Sequence, residues 1–274
     1  MPDLRNLLIV PLISCLATSA IAHPAIGIVM DSSGGVYFSD TARIWYIAPD
    51  GARTVAVPNV HSHNLWLDRE GNLYGEHESG GAQWTYRVWK RTRSGNLVDV
   101  IPARAGSLDD FKDFSFNRDS TDAMYWLSRT GQLSVKDKGA PQILAELASP
   151  EPGWLSVTPD GTAVIADHGT VVLIGKSNPS DHLRVRITSN SERYSVMGVW
   201  QGIDSTFQAA VYATGEIVTF TRKGNVKVLA TCPAPWRPTA GLQAPDGALW
   251  VLETSPANEQ RVRRISPSGQ QRVF

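Results

Sequence analysis

Short apolar runs separated by polar turns recur along almost the whole chain. Four stretches share one plan, in which an apolar strand leads into a four-residue turn ending in Gly and then into a second apolar strand. They are DSSGGVYFSD (31–40), DREGNLYGEH (68–77), TPDGTAVIAD (158–167) and APDGALWVLE (244–253). Apolar runs of this length, bounded by Asp, Asn and Gly, predict β-hairpins.

The hairpins recur with a regular spacing. A second turn follows in most units, at APDG (48–51), TRSG (92–95), TRKG (221–224) and SPSG (266–269), which gives four strands a unit. Less regular copies begin near 112 and 197, so the hairpin turns fall about forty residues apart, as in propeller blades. We predict an all-β fold, a six-bladed β-propeller of four-stranded antiparallel blades. A β-sandwich is the alternative, but a sandwich does not require this period.

The first residues have the pattern of an export signal. LLIVPLISCLATSAIA (7–22) is apolar but too short and too interrupted to span a bilayer, and its last three residues supply a small-x-small cleavage pattern. We therefore predict a signal peptide over residues 1–22 and a periplasmic or secreted propeller domain over residues 23–274. The stretch ending at Cys15 also resembles a lipobox, so a lipoprotein anchored at Cys15 is the alternative.

Composition and charge narrow the classes of function. The 274 residues are 42% hydrophobic, which is enough for a buried core, and Lys+Arg and Asp+Glu both number 26. A chain without a basic field does not attract nucleic acid, so no nucleic-acid partner is expected. Export would leave Cys232 alone, with no partner for a disulfide and no cysteine-based zinc site. We expect a monomer that does not span a membrane.

The repeated strand, DxxG turn and strand resembles NHL-repeat propellers and the senescence marker protein/gluconolactonase superfamily. The pattern is clearest in GIVMDSSGGVYFSD and weaker in AGLQAPDGALWV, and the resemblance covers essentially all of the predicted mature chain. It implies a six-bladed propeller. It leaves function open, because this fold carries lactonases, organophosphate hydrolases, lyase-like enzymes and binding platforms.

For gluconolactonase-like members, the resemblance implies a divalent metal at the pore, held by Glu, Asn and Asp five residues before the turn-opening residue of several blades. The matching positions in this chain include no carboxylate and no Asn; they are Ile26, His63, Lys112, Gly153 and Thr239. The oxygen-rich, calcium-type site is therefore not preserved. Calcium is less favoured here than zinc, manganese or iron.

A different set of ligands is present in HSHNLWLDREGNLYGEHE (61–78). If residues 68–71 form a tight turn, residue i of the first strand pairs with residue 139 − i of the second in the simplest register, so that His63 faces Glu76 and His61 faces Glu78. Cross-strand partners point to the same side of a sheet. The four side chains are thus predicted to converge at the open end of the hairpin, which lines the channel mouth in the propellers that this chain resembles.

Two interpretations of His61, His63, Glu76 and Glu78 remain open. Two neutral imidazoles with one or two carboxylates suit zinc, manganese or iron, and an open coordination position would let the metal polarise a carbonyl or activate water. A glutamate that is not a ligand could act as general base. Alternatively, the four residues are cross-strand charge pairs that contribute about 0.2–1 kcal/mol each.

Other blades are predicted to add side chains to the same rim. The same pairing rule sets Glu151 opposite His168 in blade four. The remaining rim candidates are Asp40, Asp110, Lys112, Arg237 and Glu253, with Trp154 and Trp236 beside them as surfaces on which a sugar or aromatic ring could stack.

The sequence therefore predicts an exported propeller that binds a small polar molecule or a sugar at its pore mouth. The enzyme hypothesis is a metal-dependent hydrolase of the lactonase or esterase kind, or a lyase, with Glu76 or Glu78 as the catalytic carboxylate. The alternative is a non-catalytic NHL-type module whose top face binds a glycan or a partner protein. The chain has no Gly-x-Ser-x-Gly, glycine-rich phosphate loop or Cys-x-x-Cys, so serine, nucleotide and thiol chemistries lack support.

Overall fold

The chain forms six antiparallel sheets arranged in a ring, so the predicted six-bladed β-propeller is confirmed. The computed structural model describes residues 24–80, 83–106, 114–149 and 151–274. The predicted signal peptide, residues 1–22, lies outside the described residues. Within the described ranges, no helix is long and apolar enough to cross a membrane.

Each blade is built from consecutive strands. Blade one contains β1 (Ile28–Met30), β2 (Val36–Ser39), β3 (Arg43–Ile47) and β4 (Arg53–Pro58), and blade two contains β5 (Leu65–Leu67), β6 (Leu73–Ser79), β7 (Thr85–Arg91) and β8 (Leu97–Ala105). Blade three contains β9 (Met124–Leu127), β10 (Gln132–Lys136) and β11 (Gln142–Glu146), and blade four contains β12 (Leu155–Val157), β13 (Thr162–Asp167), β14 (Thr170–Gly175) and β15 (Asn178–Arg186). Blade five contains β16 (Val199–Gln201), β17 (Phe207–Val211), β18 (Glu216–Phe220) and β19 (Val226–Thr231), and blade six contains β20 (Arg237–Gln243), β21 (Leu249–Thr254), β22 (Gln260–Ile265) and β23 (Gln271–Val273).

Blade three differs from the other five in the described residues. Its sheet has three strands, and the inner position is occupied by an irregular segment that precedes β9. Asn117 accepts the Tyr125 N–H at 2.9 Å, Phe114 accepts the indole N–H of Trp126 at 3.1 Å, and a single bridge joins Arg118 to Met124. The inner edge of this blade is therefore less regular than that of its neighbours.

The burial of each strand follows its position in the blade. The second strands β13, β17 and β21 are buried at every residue, because neighbouring blades cover both of their faces. The outermost strands β8 and β23 are mostly exposed. The continuous apolar runs that follow the DxxG turns in the sequence are these second strands.

The hydrophobic core consists of layers between adjacent blades. Each of the six contacts between neighbouring blades contains its own cluster of buried apolar side chains. The layer between blades one and six closes the ring and includes Phe38 and Trp250, with Phe274 stacked on Trp250 at 5.5 Å. Thr239 Oγ1 also donates to the carbonyl of Ala25 across this contact at 2.8 Å. The C-terminus and the start of blade one thus meet at the closure.

The predicted register of the hairpins is wrong by one residue. In blade two Leu65 pairs with Gly75, so the partners sum to 140 rather than 139, and blade four shows the same shift. The cause is Gly71, whose φ of 79° adds a left-handed residue to the turn; Asp68 N–H then donates to the carbonyl of Asn72 at 3.0 Å. This is a three-residue loop with a bulge, rather than the two-residue loop assumed from the sequence.

Candidate metal and ligand site

Residues 61–64, which we call the histidine segment, leave the β ladder just before β5. Glu76 Oε1 accepts the backbone N–H groups of both His63 and Asn64, the latter at 2.7 Å. A carboxylate thus replaces strand carbonyls as the acceptor, and the segment bends. The bend reverses the one-residue shift of the hairpin, because Glu78 N–H donates to the carbonyl of His61 at 3.1 Å. His61 and Glu78 are neighbours as predicted, but for a reason that the pairing rule did not contain.

Blade one holds the histidine segment from the other side. Ser39 Oγ donates to the carbonyl of Ser62 at 2.5 Å, and Ile26 N–H donates to the carbonyl of His63 at 3.1 Å. Gly27 permits this approach, because a Cβ at that position would lie 3.1 Å from the His63 carbonyl oxygen. The segment is therefore fixed between two blades, with its backbone groups bonded on both sides.

The structure brings three of the four predicted ligands together. The Nε2 atoms of His61 and His63 lie 2.9 Å apart, with ring planes at 77°. One ligand atom from each of these histidines and one from Glu78 all lie within 4.8 Å of one another. All three side chains are partly buried, so the cluster is reachable from solvent but sheltered by the fold.

The distances suit a divalent transition metal after a small adjustment. Two nitrogens bound to one zinc ion at about 2.0–2.1 Å lie about 3.3 Å apart at the tetrahedral angle. The imidazole pair is a few tenths of an ångström closer than this, so a slight opening of the two rings would admit an ion. Without an ion the same pair forms an N–H···N hydrogen bond, in which one ring donates and the other accepts.

Glu76 lies outside this set of three. Its side chain is fully buried, and burial raises the pKa of its carboxyl to about 8, against the lowering effect of the N–H groups of Asn64 and His63. Its Oε2 atom has no hydrogen-bond partner among the described residues. The geometry assigns Glu76 to holding the backbone of the histidine segment.

His77 is a residue of this site that the sequence reasoning missed, because the pairing rule placed it on the opposite face. His77 Nδ1 accepts the backbone N–H of His61 at 2.9 Å. Burial lowers the pKa of His77, and the charge of Arg87 lowers it further, which favours the neutral ring that this hydrogen bond requires. An imidazole between two glutamates was a signal available in the sequence, but its role depends on the bend.

A cavity of about 600 Å³ opens beside the cluster. Its lining includes His63, Asn64 and Glu78, several residues of blade three, and residues 152–155 of blade four with Arg193. Its size falls within the range of about 300–1,000 Å³ that is usual for small-molecule sites. Trp154, predicted as a ligand-binding residue, lines this cavity.

Glu151 and His168 of blade four, which were predicted to face each other, contact other residues instead. Glu151 lies at an exposed position and pairs with Arg193 at 3.0 Å. His168 Nδ1 lies 3.1 Å from Asp167 and 3.4 Å from Ser149 Oγ. The predicted pairing of Glu151 with His168 is wrong, since the hairpin register is shifted. The Ser, His and Asp group is not a catalytic triad, because both oxygens face the same ring nitrogen.

The remaining rim candidates are spread over other parts of the fold. Trp236 lies beneath the guanidinium of Arg261 at 3.9 Å, and Arg237 is exposed and bonds a carbonyl of blade five; neither lines the cavity. Glu253 is fully buried and holds Arg261 and Arg263 at 2.7 and 2.6 Å, so its predicted position on the rim is wrong. Asp40 bonds its own loop and the indole of Trp45, whereas Asp110 and Lys112 lie outside the described residues.

Comparison with known proteins places the fold among six-bladed propellers. No sequence family and no curated protein sequence matches the chain. Among solved structures, virginiamycin B lyase from Staphylococcus aureus is 14% identical with a TM-score of 0.58, and the match covers 92% of this chain and 84% of that one. A putative gluconolactonase is 14% identical with a TM-score of 0.55, covering 86% and 87%. A chain of a nidogen/laminin complex is 11% identical with a TM-score of 0.57, covering 88% and 96%.

These identities are low enough that the likeness concerns the fold alone. The predicted resemblance to gluconolactonase-like and NHL-type propellers is confirmed at that level. The chain is thus an all-β propeller whose structural neighbours include a lyase, a putative lactonase and a component of a protein complex. Its function has to be argued from its own side chains.

Proposed function

We propose that this protein is a metal-assisted hydrolase or lyase that acts on a small molecule bound in the cavity beside the histidine segment. The observation that carries the proposal is the cluster of three convergent ligands, His61, His63 and Glu78, of which His63 and Glu78 line a cavity large enough for a substrate. Three protein ligands with one open position are the usual arrangement of a catalytic zinc site.

A bound metal would supply Lewis acidity, so that a substrate carbonyl is polarised or a water is activated. Residues of the chain would position the ion and accept the proton. His61 and His63 would hold such an ion through Nε2, and the bond from His61 N–H to His77 Nδ1 fixes the backbone beneath the first ring. Glu78, at the cavity wall, either completes the ligand set or takes a proton from the reacting water.

The structural neighbours are consistent with cleavage chemistry on this fold. One of them is described as a catalytically inactive histidine-to-alanine variant of virginiamycin B lyase, solved with quinupristin. A propeller of this shape can therefore depend on a histidine for lyase activity. That dependence belongs to the neighbour, and for this chain it supports the choice of histidines as the residues to test.

Metal content tests the proposal directly. The wild type, His61→Ala/His63→Ala and the control His182→Ala are dialysed against trace zinc or manganese and analysed for bound metal; His182 is an exposed histidine on β15. We expect near-stoichiometric metal in the wild type and the control, and loss in the double variant with folding intact. A wild type that retains no metal at micromolar supply, or a double variant that retains as much, would overturn the metal site.

The alternative is a non-catalytic binding module. The observation in its favour is that the imidazole pair is already at hydrogen-bond distance without an ion. A neighbour of similar shape belongs to a protein complex, that of nidogen and laminin. If no metal binds, the His61 and His63 pair is a structural contact, and binding of a glycan or protein by the same face becomes the leading function.

A further inference from the structure

The cavity beside the histidine segment is lined by an unusual number of aromatic side chains. Aromatic residues make up 8% of the chain but about a third of the cavity lining. They come from three blades, and they are Trp84, Tyr86, Phe114, Phe116, Tyr125, Trp126, Trp154 and Tyr194. Tyr86, Phe114 and Phe116 belong to the packed layer between blades two and three. The other rings except Tyr125 keep exposed surface at the cavity.

Several of these rings are held in fixed orientations. Phe114 and Phe116 pack at 5.1 Å with planes at 70°, and the indole N–H of Trp126 bonds the carbonyl of Phe114 at 3.1 Å. The hydroxyl of Tyr125 donates to Asp119 at 2.9 Å. These buried rings form a rigid support, and the partly buried Trp126, Trp154 and Tyr194 provide the surface on which a ligand ring can stack without a large loss of side-chain entropy.

Trp84 is the exception, because its ring is left in solvent. It lies immediately before β7, lines the cavity, and is 59% exposed, the second most exposed of the large hydrophobic side chains in the described residues. A large exposed indole beside a concave site is typical of a ligand-stacking position. We therefore take Trp84 as the outer surface against which a bound ring would rest.

Two hydroxyls of the lining are already bonded within the protein. Ser115 Oγ donates to the carbonyl of Tyr125 at 2.5 Å, and Ser128 Oγ lies 2.8 Å from Thr130 Oγ1. These hydroxyls already have protein partners. These two groups therefore offer little to the hydroxyls of a sugar, whereas a ring stacked on the exposed aromatic side chains needs no partner from them.

We infer that the cavity binds a molecule with a planar aromatic ring close to an ester group, either open or cyclic. The ring lies between Trp84 and the fixed aromatic wall, and the ester carbonyl lies at the end formed by His63 and Glu78. If the reaction is hydrolysis, the water oxygen bonds to the carbonyl carbon, the carbon–oxygen bond to the leaving group breaks, and a water proton passes to the departing alcohol. The position of the ester depends on the proposed function; binding of the ring does not.

The test uses uncleavable probes and metal-free protein, so that its outcome is separate from that of the metal site. Calorimetric titrations compare 2-phenylacetamide with 2-cyclohexylacetamide, which has a similar size but no π face, and with glucose. The proteins are the wild type, Trp84→Ala, Trp84→Phe and the control Trp236→Ala, whose indole lies outside the cavity. The His61→Ala/His63→Ala variant is titrated as well.

We expect the phenyl probe to bind at least threefold more tightly than the cyclohexyl probe, and glucose to bind more weakly than either. Trp84→Ala should lower the affinity for the phenyl probe about three- to tenfold, the range expected for one aromatic pair, and Trp84→Phe should restore most of it. Trp236→Ala should bind as the wild type does, and the histidine variant, whatever its absolute affinity, should keep the same preference for the phenyl over the cyclohexyl probe. Equal affinity for the two amides, tighter binding of glucose, no binding at millimolar concentration, or an unchanged Trp84→Ala variant would each overturn the inference.

Discussion

The carboxyl of Glu76 should contribute to stability through the backbone of the histidine segment. In Glu76→Ala the N–H groups of His63 and Asn64 lose their acceptor, and a fully buried side chain leaves a small cavity. Two partly buried donors without partners, together with the cavity, correspond to a loss of about 2–4 kcal/mol in the free energy of unfolding. In Glu76→Gln the amide oxygen can still accept both N–H groups, so the loss should be about 1–2 kcal/mol.

The pH dependence of stability gives a sharper test of the same residue. The pKa of Glu76 rises from 4.5 to about 8 on folding, so the folded state holds the proton more tightly than the unfolded state. The contribution to stability is therefore complete below pH 4.5 and is lost as the pH rises toward 8. At about 1.4 kcal/mol per pKa unit, the loss has an upper bound of about 5 kcal/mol.

Urea unfolding at a series of pH values between 5 and 9 would measure both effects. The wild type should lose stability across this interval, whereas Glu76→Gln, which cannot ionise, should lose much less and should approach or exceed the wild type at pH 9. The Gln variant should also retain bound metal, because Glu76 is outside the ligand cluster, whereas Glu78→Gln should bind metal more weakly. A wild-type slope that persists unchanged in Glu76→Gln would refute this account of the buried carboxyl.

Two further predictions concern the fold. Deletion of residues 270–274 removes the outer strand β23 and the stacking of Phe274 on Trp250, so the urea midpoint should fall clearly; an unchanged midpoint would mean that the ring closes without the C-terminus. Asp119 is held by Thr121, Tyr125 and Lys176, and although burial acts in the opposite direction, these bonds lower its pKa to about 2. The ionised carboxylate should therefore contribute about 2 kcal/mol to the free energy of unfolding above pH 3.8, and this contribution should be lost as the pH falls through 2. The acid-unfolding curve of Asp119→Asn should lack this loss, and a curve identical to that of the wild type would contradict the prediction.

The arrangement of blades could be predicted because each hairpin is encoded locally. The turn at residues 68–71 combines an Asp that accepts backbone N–H groups with a Gly at positive φ, and the same chemistry recurs near residues 31, 158 and 244. The apolar run after each turn becomes the second strand of a blade. Fold class and blade number therefore followed from spacing alone.

The candidate site was only partly predictable, because its geometry is not encoded locally. Gly71 adds a residue to the turn, which shifts the hairpin by one residue, and His61 and Glu78 still meet because Glu76 bends the segment by capping N–H groups. The first effect has a sequence signal in the Gly. The second does not, since an acidic residue in a strand pattern gives no indication that it will be buried and bonded to the backbone of a neighbouring strand.

The sequence by itself determined the six-bladed propeller, the balanced charge, and the presence of His61, His63, Glu76 and Glu78 on one hairpin. Only the tertiary structure decided which of them converge, that Glu253 and Glu76 are buried, and that aromatic residues from three blades share one cavity. The physical reason is distance along the chain. Turns and strands depend on residues close together in the sequence, whereas the cavity is lined by residues as far apart as His63 and Tyr194, which share one site only after the blades have packed against one another.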